Sequence, residues 1–188
     1  MTTTSKIDFK LGDLVVSSKG AKAIAVTNKS GEPIIWMHAE SLNVCYQPSA
    51  YNDEGATRVN ICFGTTESLT EQLKSFDASL ITLIAADSKK YFGQALSVEE
   101  IKNRMQPSVR VPEKGFTHWR CKLNLSGRGK VQCYGMDKNV RALPESWLDV
   151  SVRPRVQINS VWIMSKEIGV LYEVVACQID EQSRECPF

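Results

Sequence analysis

Residues 118–134 read HWRCKLNLSGRGKVQCY, and this stretch decides the class of fold that the sequence predicts. Apolar and polar side chains alternate along its first half, with Trp119, Cys121 and Leu123 on one side and His118, Arg120 and Lys122 on the other. An alternation of period two places one set of side chains on each face of a β-strand. SGRG at 126–129 predicts a turn and residues 130–134 a return strand, so the stretch predicts a hairpin with one buried face and one basic face.

The rest of the chain adds further strands around a helical segment. Alternating or apolar runs predict strands at residues 21–27, 57–63, 151–164 and 169–179. Within 66–86, apolar residues recur every three or four positions, which predicts a helix, and Ser97 with Glu100 fits a capping box for a second, short helix. The sequence therefore predicts a mainly β (α+β) fold with an inserted helix, an OB-fold-like small β-barrel of five to seven strands plus one or two helices.

Basic charge is concentrated in the second half of the chain. Residues 102–141 hold ten Lys or Arg and two acids, a net charge of +8, whereas the whole chain carries only +2. Aromatic residues lie among these cations, namely Phe116, His118, Trp119 and Tyr134. Cations neutralise phosphates and ring faces accept any base, so the pattern indicates a groove for one nucleic-acid strand. An ordinary solvated basic face is the alternative.

A set of basic and aromatic residues is predicted to bind the strand, the cations through phosphates and the rings through bases. Trp119 and Trp162 are assigned to the core, because each lies in an apolar alternation. The predicted binding residues are Arg120, Lys122, Arg128, Lys130, Tyr134, Lys138, Arg141, Arg153, Arg155, Tyr91 and Phe92. The alternatives are a polar strand face for Arg120 and Lys122, a plain turn for Arg128 and Lys130, an edge-strand guard for Arg153 and Arg155, and helix closure for Tyr91 and Phe92.

Four segments carry a resemblance to a known family. In chain order they are SKKYFG at 88–93, RMQPSVR at 104–110, WRCKL at 119–123, and VWIM at 161–164 followed by Gly169, Val170 and an apolar strand. Over roughly residues 75–179 the chain resembles the single-stranded DNA-binding proteins encoded by large DNA viruses of algae and protists. The resemblance implies an OB-fold core, no catalysis, and sequence-tolerant coating of DNA strands during replication.

The organisation predicted is one nucleic-acid-binding domain over residues 1–179, followed by an acidic tail at 180–188. The tail is similar to the C-terminal tips of bacterial single-stranded DNA-binding proteins, which recruit partner enzymes. The resemblance implies that the tail binds replication proteins through Asp180, Glu181, Glu185, Pro187 and Phe188. A frayed polar terminus is the alternative.

Neither a cofactor nor a metal is predicted. The six cysteines form no Cys-x-x-Cys pair and there are only two histidines, so the spacing does not predict a zinc site. Nucleophile-elbow, phosphate-loop and zinc-protease motifs are also missing from the sequence, and we expect no enzymatic activity. Asp8 with Asp13, or Asp77 with Asp87, could be considered as metal carboxylates, and Asp77 and Asp87 are expected at the surface.

The expected partner is single-stranded DNA, with RNA as an alternative ligand and a homo-oligomer left open. The chain lacks an apolar run of membrane-spanning length and an N-terminal signal-like stretch. We therefore expect an intracellular protein of the cytoplasm or nucleus, neither secreted nor membrane-bound. The rival functions are a structural virion or coat protein of β-sandwich type and, with less support, a small nuclease.

Overall fold

The computed structural model describes residues 7–50, 53–148 and 150–180. Its elements in chain order are β1 (Lys10–Val16), β2 (Lys22–Thr27), β3 (Ile34–Met37), β4 (Leu42–Asn43), β5 (Arg58–Gly64), α1 (Glu67–Ala86), α2 (Ser88–Phe92), α3 (Val98–Arg104), β6 (Val109–Arg110), β7 (His118–Asn124), β8 (Gln132–Tyr134), β9 (Val140–Arg141), β10 (Ser151–Met164) and β11 (Glu167–Ile179). The main strands and the long helix lie where periodicity predicts them.

These elements form two compact units, each built from three separate stretches of chain. Unit 1 comprises the described residues of Met1–Ile34, Glu67–Val109 and Ile158–Leu171, and unit 2 those of Ile35–Thr66, Arg110–Gln157 and Tyr172–Phe188. β10 and β11 therefore contribute residues to both units. The single domain expected over residues 1–179 stays a prediction.

Unit 1 combines antiparallel strands with the three helices. β1 pairs with β2, and β2 pairs with the second half of β10, with Ile24 opposite Val161. The helical stripe of α1 is buried at the predicted spacing through Leu69, Leu73, Phe76, Leu80 and Ile84. The capping box of α3 is also confirmed, because Ser97 Oγ accepts the Glu100 N–H (3.2 Å) and Glu100 Oε2 accepts the Ser97 N–H (2.7 Å).

Asp77 corrects one expectation, since this carboxylate of α1 is buried, whereas Asp87 is exposed as expected. The chain after α3 covers Asp77, and Ser108 donates to it twice, from its N–H to Oδ2 (2.8 Å) and from its hydroxyl to Oδ1 (2.6 Å). Burial raises the pKa of Asp77 to about 6, although the two hydrogen bonds from Ser108 act in the opposite direction. The periodicity of α1 does not predict that the segment with Ser108 packs over Asp77.

The raised pKa of Asp77 predicts a pH-dependent effect of Asp77→Asn. Because the folded state holds this proton more tightly than the unfolded state, the free energy of unfolding decreases as pH rises from the unfolded pKa near 3.8 through about 6. The amide introduced by Asp77→Asn cannot ionise, so the variant does not bear the free-energy cost of a buried charge. Its hydrogen bonds from Ser108 are weaker than those to a carboxylate. We expect the variant to be more stable than the natural chain by about 1–2 kcal/mol near pH 7.5 and close to it near pH 4.5.

Urea unfolding of both proteins at the two pH values measures this difference. Asp87→Asn, which changes an exposed carboxylate after α1, serves as the matched control and should show little change at either pH. An equal effect of Asp77→Asn at both pH values would contradict the assigned ionisation.

Unit 2 is built on strands that pair in both directions. β5 pairs antiparallel with β7 along its whole length, and β4 pairs with the start of β10. β11 runs parallel to β7, with Glu173 opposite Lys122, and parallel to β8, with Cys177 opposite Cys133. β8 in turn pairs with β9. The parallel pairings bring β7 and β8 to β11 from distant parts of the chain.

The core of unit 2 is centred on Trp119, which confirms its assignment to the interior. The Trp119 side chain is 1% exposed. Its ring centroid lies 5.2 Å from that of Trp36, 6.3 Å from Phe63 and 5.1 Å from Tyr172, which it meets edge-on. Within the described residues, the Trp119 indole N–H has no hydrogen-bond acceptor.

The sheet differs from the predicted small barrel of five to seven strands. Hydrogen bonds join eleven strands of the described residues along the path β1-β2-β10-β11-β7-β5, with the remaining strands attached to it, and this path does not close. The count differs because β4, β6 and β9 have only two residues each. Segments that short show no period in the sequence. The return strand predicted at 130–134 is present as β8, but the predicted hairpin is wrong, because β8 pairs with β11 and β9 and not with β7.

Candidate nucleic-acid interface

Nine of the eleven predicted binding residues belong to unit 2. On β7, Arg120 and Lys122 alternate with buried neighbours and so project away from the core. On β10, the exposed Arg153 and Arg155 flank the buried Pro154 and project outward in the same way. The alternation in the sequence is therefore confirmed for β7 and for the first half of β10. The assignment of Trp162 to the core is wrong, because Val161 and Ile163 on either side of it are buried and Trp162 is half-buried.

A groove of about 800 Å³ brings four predicted residues together. It is lined by Tyr134 of β8, by Lys138 of the turn after β8, and by Arg153 and Arg155 of β10. The other lining residues are largely apolar or carry amides, and they include Ile35, Met37, Val175, Gln132 and Gln178. Cations, a phenol ring and apolar surface therefore face one space.

The charged side chains that line the groove are positive. Among the described residues that line it, none is acidic. Arg153 Nε donates to Ser41 Oγ (3.4 Å), and Ser41 in turn donates to Asp180 Oδ2 (3.4 Å), so a hydroxyl links the guanidinium to this carboxylate. A concave surface lined by charge of one sign concentrates the electrostatic potential and attracts polyanions.

Two local features position Tyr134 and Lys138. The Tyr134 hydroxyl donates to Gln132 Oε1 (2.5 Å), the residue two positions earlier on the same strand, and the side chain is half-buried. Lys138 has a φ of 65°, in a turn where its N–H donates to the Gly135 carbonyl (3.0 Å). This left-handed turn presents the lysine at the rim of the groove.

The apolar side of the groove was not predicted. Ile35 is 45% exposed and Met37 65% exposed, and both belong to β3. Trp36 between them is half-buried and contacts Trp119, so its neighbours must point outward. The signal was present in IIWM at 34–37, but a strand that is apolar on both faces does not show which face is buried.

A second basic cluster lies on β5, β6 and β7 and consists of Arg58, Arg110, Arg120 and Lys122. Burial, with the neighbouring guanidinium groups of Arg58 and Arg120, lowers the pKa of Lys122. Arg58 also forms an ion pair with Glu173 (3.0 Å). Arg58, Arg120 and Lys122 repel one another, and a phosphate bound between them would reduce this repulsion. Alternation in TRVNICF at 57–63 places Arg58 outward, so this residue could have been included in the predicted site.

Three further predicted cations belong neither to the groove nor to the second basic cluster. Arg128 and Lys130 are exposed at the tip between β7 and β8, where the Lys130 N–H donates to the Gly127 carbonyl (3.2 Å). Arg141 forms an ion pair with Asp137 (3.1 Å) and lines a different cavity of about 550 Å³. Their roles in binding stay predictions, and Arg141 is already partly neutralised.

The two aromatic residues predicted on α2 lie in unit 1. Tyr91 is 3% exposed and its hydroxyl donates to the Gly12 carbonyl (3.1 Å), so its ring is not available for stacking on a base. This burial favours the alternative of helix closure for Tyr91. Phe92 is half-buried, with the Arg104 guanidinium carbon 5.8 Å from its ring centroid.

Of the predicted partner-binding tail, only Asp180 is described, and its N–H donates to the Ser151 carbonyl (2.9 Å). Glu181, Glu185, Pro187 and Phe188 lie outside the described residues. Within residues 7–50, 53–148 and 150–180, three or more metal-ligating side chains never come together. In the same part of the chain, no helix has both the length and the apolar character needed to cross a bilayer.

Comparison with known proteins finds no matching family model and no matching curated protein. Among solved structures, the fold is similar to that of the single-stranded DNA-binding protein from bacteriophage Enc34 in complex with ssDNA, at 14% identity over 88% of this chain and 94% of that chain, with a TM-score of 0.49. A C-terminal truncation of the Enc34 protein is similar at 13% identity over 89% of this chain and 92% of that chain, with a TM-score of 0.47.

Proposed function

We propose that the protein binds single-stranded DNA with little sequence preference. The observation that carries the proposal is the convergence of Lys138, Arg153, Arg155 and Tyr134 on one groove whose lining residues include no acid. The family resemblance in the sequence supports a role in DNA replication, recombination or repair, in a virus. Binding of replication proteins by the acidic tail belongs to the same proposal.

The composition of the groove favours a single strand over a duplex. Bases within a duplex are stacked on one another, whereas a single strand can present its base faces to Tyr134, Ile35 and Met37. Its phosphates can meet Arg153 and Arg155 at the same time. Stacking and apolar contact do not depend on the identity of the base, which is why binding should tolerate any sequence.

Arg120 and Lys122 extend the surface available to the strand. In the strand order, only β11 separates β7 from β10. β7 pairs with β11 at Glu173 and Val174, whereas the groove is lined by residues 175–178 of β11. Two inter-strand steps across and a few residues along the strands correspond to roughly 15–20 Å, which is within the span of a few nucleotides. One strand of DNA can therefore follow the groove and continue to the second basic cluster.

A salt titration tests this function. If the three groove cations together with Arg120 and Lys122 each neutralise a phosphate, log affinity for an oligo-dT strand should fall against log salt with a slope of about −3.5. Fluorescence anisotropy of a labelled strand measures the slope, and the same titration with duplex DNA and with an RNA strand gives the preference. A flat salt dependence, or equal affinity for the duplex, would contradict the proposal.

A further inference from the structure

A cluster of exposed aromatic rings lies outside the groove and belongs to unit 2. Phe116, in the loop before β7, is 62% exposed, and Tyr46, in the loop after β4, is 39% exposed. The Tyr46 ring centroid lies 6.1 Å from that of Phe116 and 5.8 Å from that of His118, which it meets edge-on. Solvent-exposed rings such as these contribute little to a hydrophobic core, and their faces are available to a ligand.

The loop that carries Phe116 holds the cluster in a fixed arrangement. The Phe116 N–H donates to the Tyr46 hydroxyl (3.1 Å), and His118 Nδ1 lies 2.8 Å from the Phe116 carbonyl oxygen. A Cβ on Gly115, which has a φ of 107°, would lie 2.5 Å from the Tyr46 hydroxyl. The backbone therefore packs directly against the phenol, and the rings are ordered before any ligand arrives. Such preorganisation lowers the entropic cost of binding.

The charge around the cluster is complementary to a nucleotide. His118 lies on the same outward face of β7 as Arg120 and Lys122. Alternate residues of a strand are about 7 Å apart, so Arg120 is within one nucleotide of the rings. A base stacked on the cluster would place its phosphates beside the second basic cluster.

We propose that Tyr46 and Phe116 form a base-stacking platform, separate from the groove, for a nucleobase whose flanking phosphates contact Arg120 and Lys122. The inference rests on the proposed function and adds a second point of attachment for the same strand. Two linked contacts bind more tightly than either alone, provided that the strand is long enough to reach both.

The test compares two ligands of equal charge, an oligo-dT strand and an abasic strand of the same length that has phosphates but no bases. Tyr46→Ala/Phe116→Ala should lower the affinity for oligo-dT by about five- to twentyfold, because one or two stacked bases lose their partner. Its affinity for the abasic strand should not change, and its salt slope for oligo-dT should match that of the natural chain.

Three further variants keep the result interpretable. Phe116→Trp should retain the oligo-dT affinity and Phe116→Leu, which keeps apolar bulk without a ring, should not. Met164→Ala removes an exposed apolar side chain (65% exposed) from unit 1 and should bind like the natural chain. If the natural chain binds no single strand, the proposed function fails; if it binds but the double variant binds oligo-dT equally well, only the platform fails.

Discussion

Replacing Arg153 and Arg155 together by alanine should lower the affinity for single-stranded DNA by about 30- to 150-fold at low salt, since each phosphate contact contributes about 1–1.5 kcal/mol. These two arginines stand on one exposed face of β10 and both line the groove. The loss of two phosphate contacts should also make the salt slope less steep by about 1.4. Anisotropy titrations at several salt concentrations measure both quantities.

The matched control removes the same charge elsewhere. Lys19→Ala/Lys74→Ala deletes two exposed cations of unit 1, and neither residue lines the groove. If the position of the charge matters, this variant should bind within about threefold of the natural chain, because neither lysine lines the groove. Equal losses in the two double variants would show that net charge, and not the groove, determines binding.

Trp119→Ala should reduce the free energy of unfolding by about 3–5 kcal/mol, the range seen when a large buried aromatic is removed. Trp119 lies at the centre of the ring cluster of unit 2, in contact with Trp36, Phe63 and Tyr172, so no neighbour can fill the cavity without breaking another ring contact. Urea unfolding followed by circular dichroism measures the loss.

Trp119→Phe tests the contribution of the buried indole N–H separately from that of the ring. A buried donor without an acceptor costs about 1–3 kcal/mol, and phenylalanine removes the indole N–H while keeping most of the ring volume. We therefore expect Trp119→Phe to cost less than about 1.5 kcal/mol, because loss of the orphaned donor offsets part of the lost packing. A cost as large as that of the alanine variant would mean that the indole N–H is satisfied in the folded protein.

Alternation was sufficient to place Arg120, Lys122, Arg153 and Arg155 on the outside of unit 2. Side-chain direction in a strand depends only on whether a position is odd or even relative to the core residues, and this information is local. The same holds for α1 and for the capping box of α3, where contacts three or four residues apart determine the structure. Local patterns therefore accounted for most elements and for which cations are exposed.

The groove itself could not be derived from local patterns. It forms because β11 pairs in parallel with both β7 and β8 and lies beside β10, and such pairings join residues far apart in the chain. The partners of individual predicted residues are also distant in the chain or depend on the geometry of a turn. The Tyr91 hydroxyl donates to the Gly12 carbonyl within unit 1, and Arg141 is partly neutralised by Asp137 in the preceding turn. The periodicity of the sequence does not predict these contacts.

The interleaving of the two units also constrains how the polypeptide can fold. Unit 1 needs residues 158–171 to complete its strands, and the pairing of Ile24 with Val161 closes a loop of well over a hundred residues. Long-range closure of this kind slows folding, because chain entropy is lost before the contacts form. During synthesis, neither unit can finish its sheet until the ribosome has passed residue 171, so the helices of unit 1 must wait for β10 and β11, which are made after them.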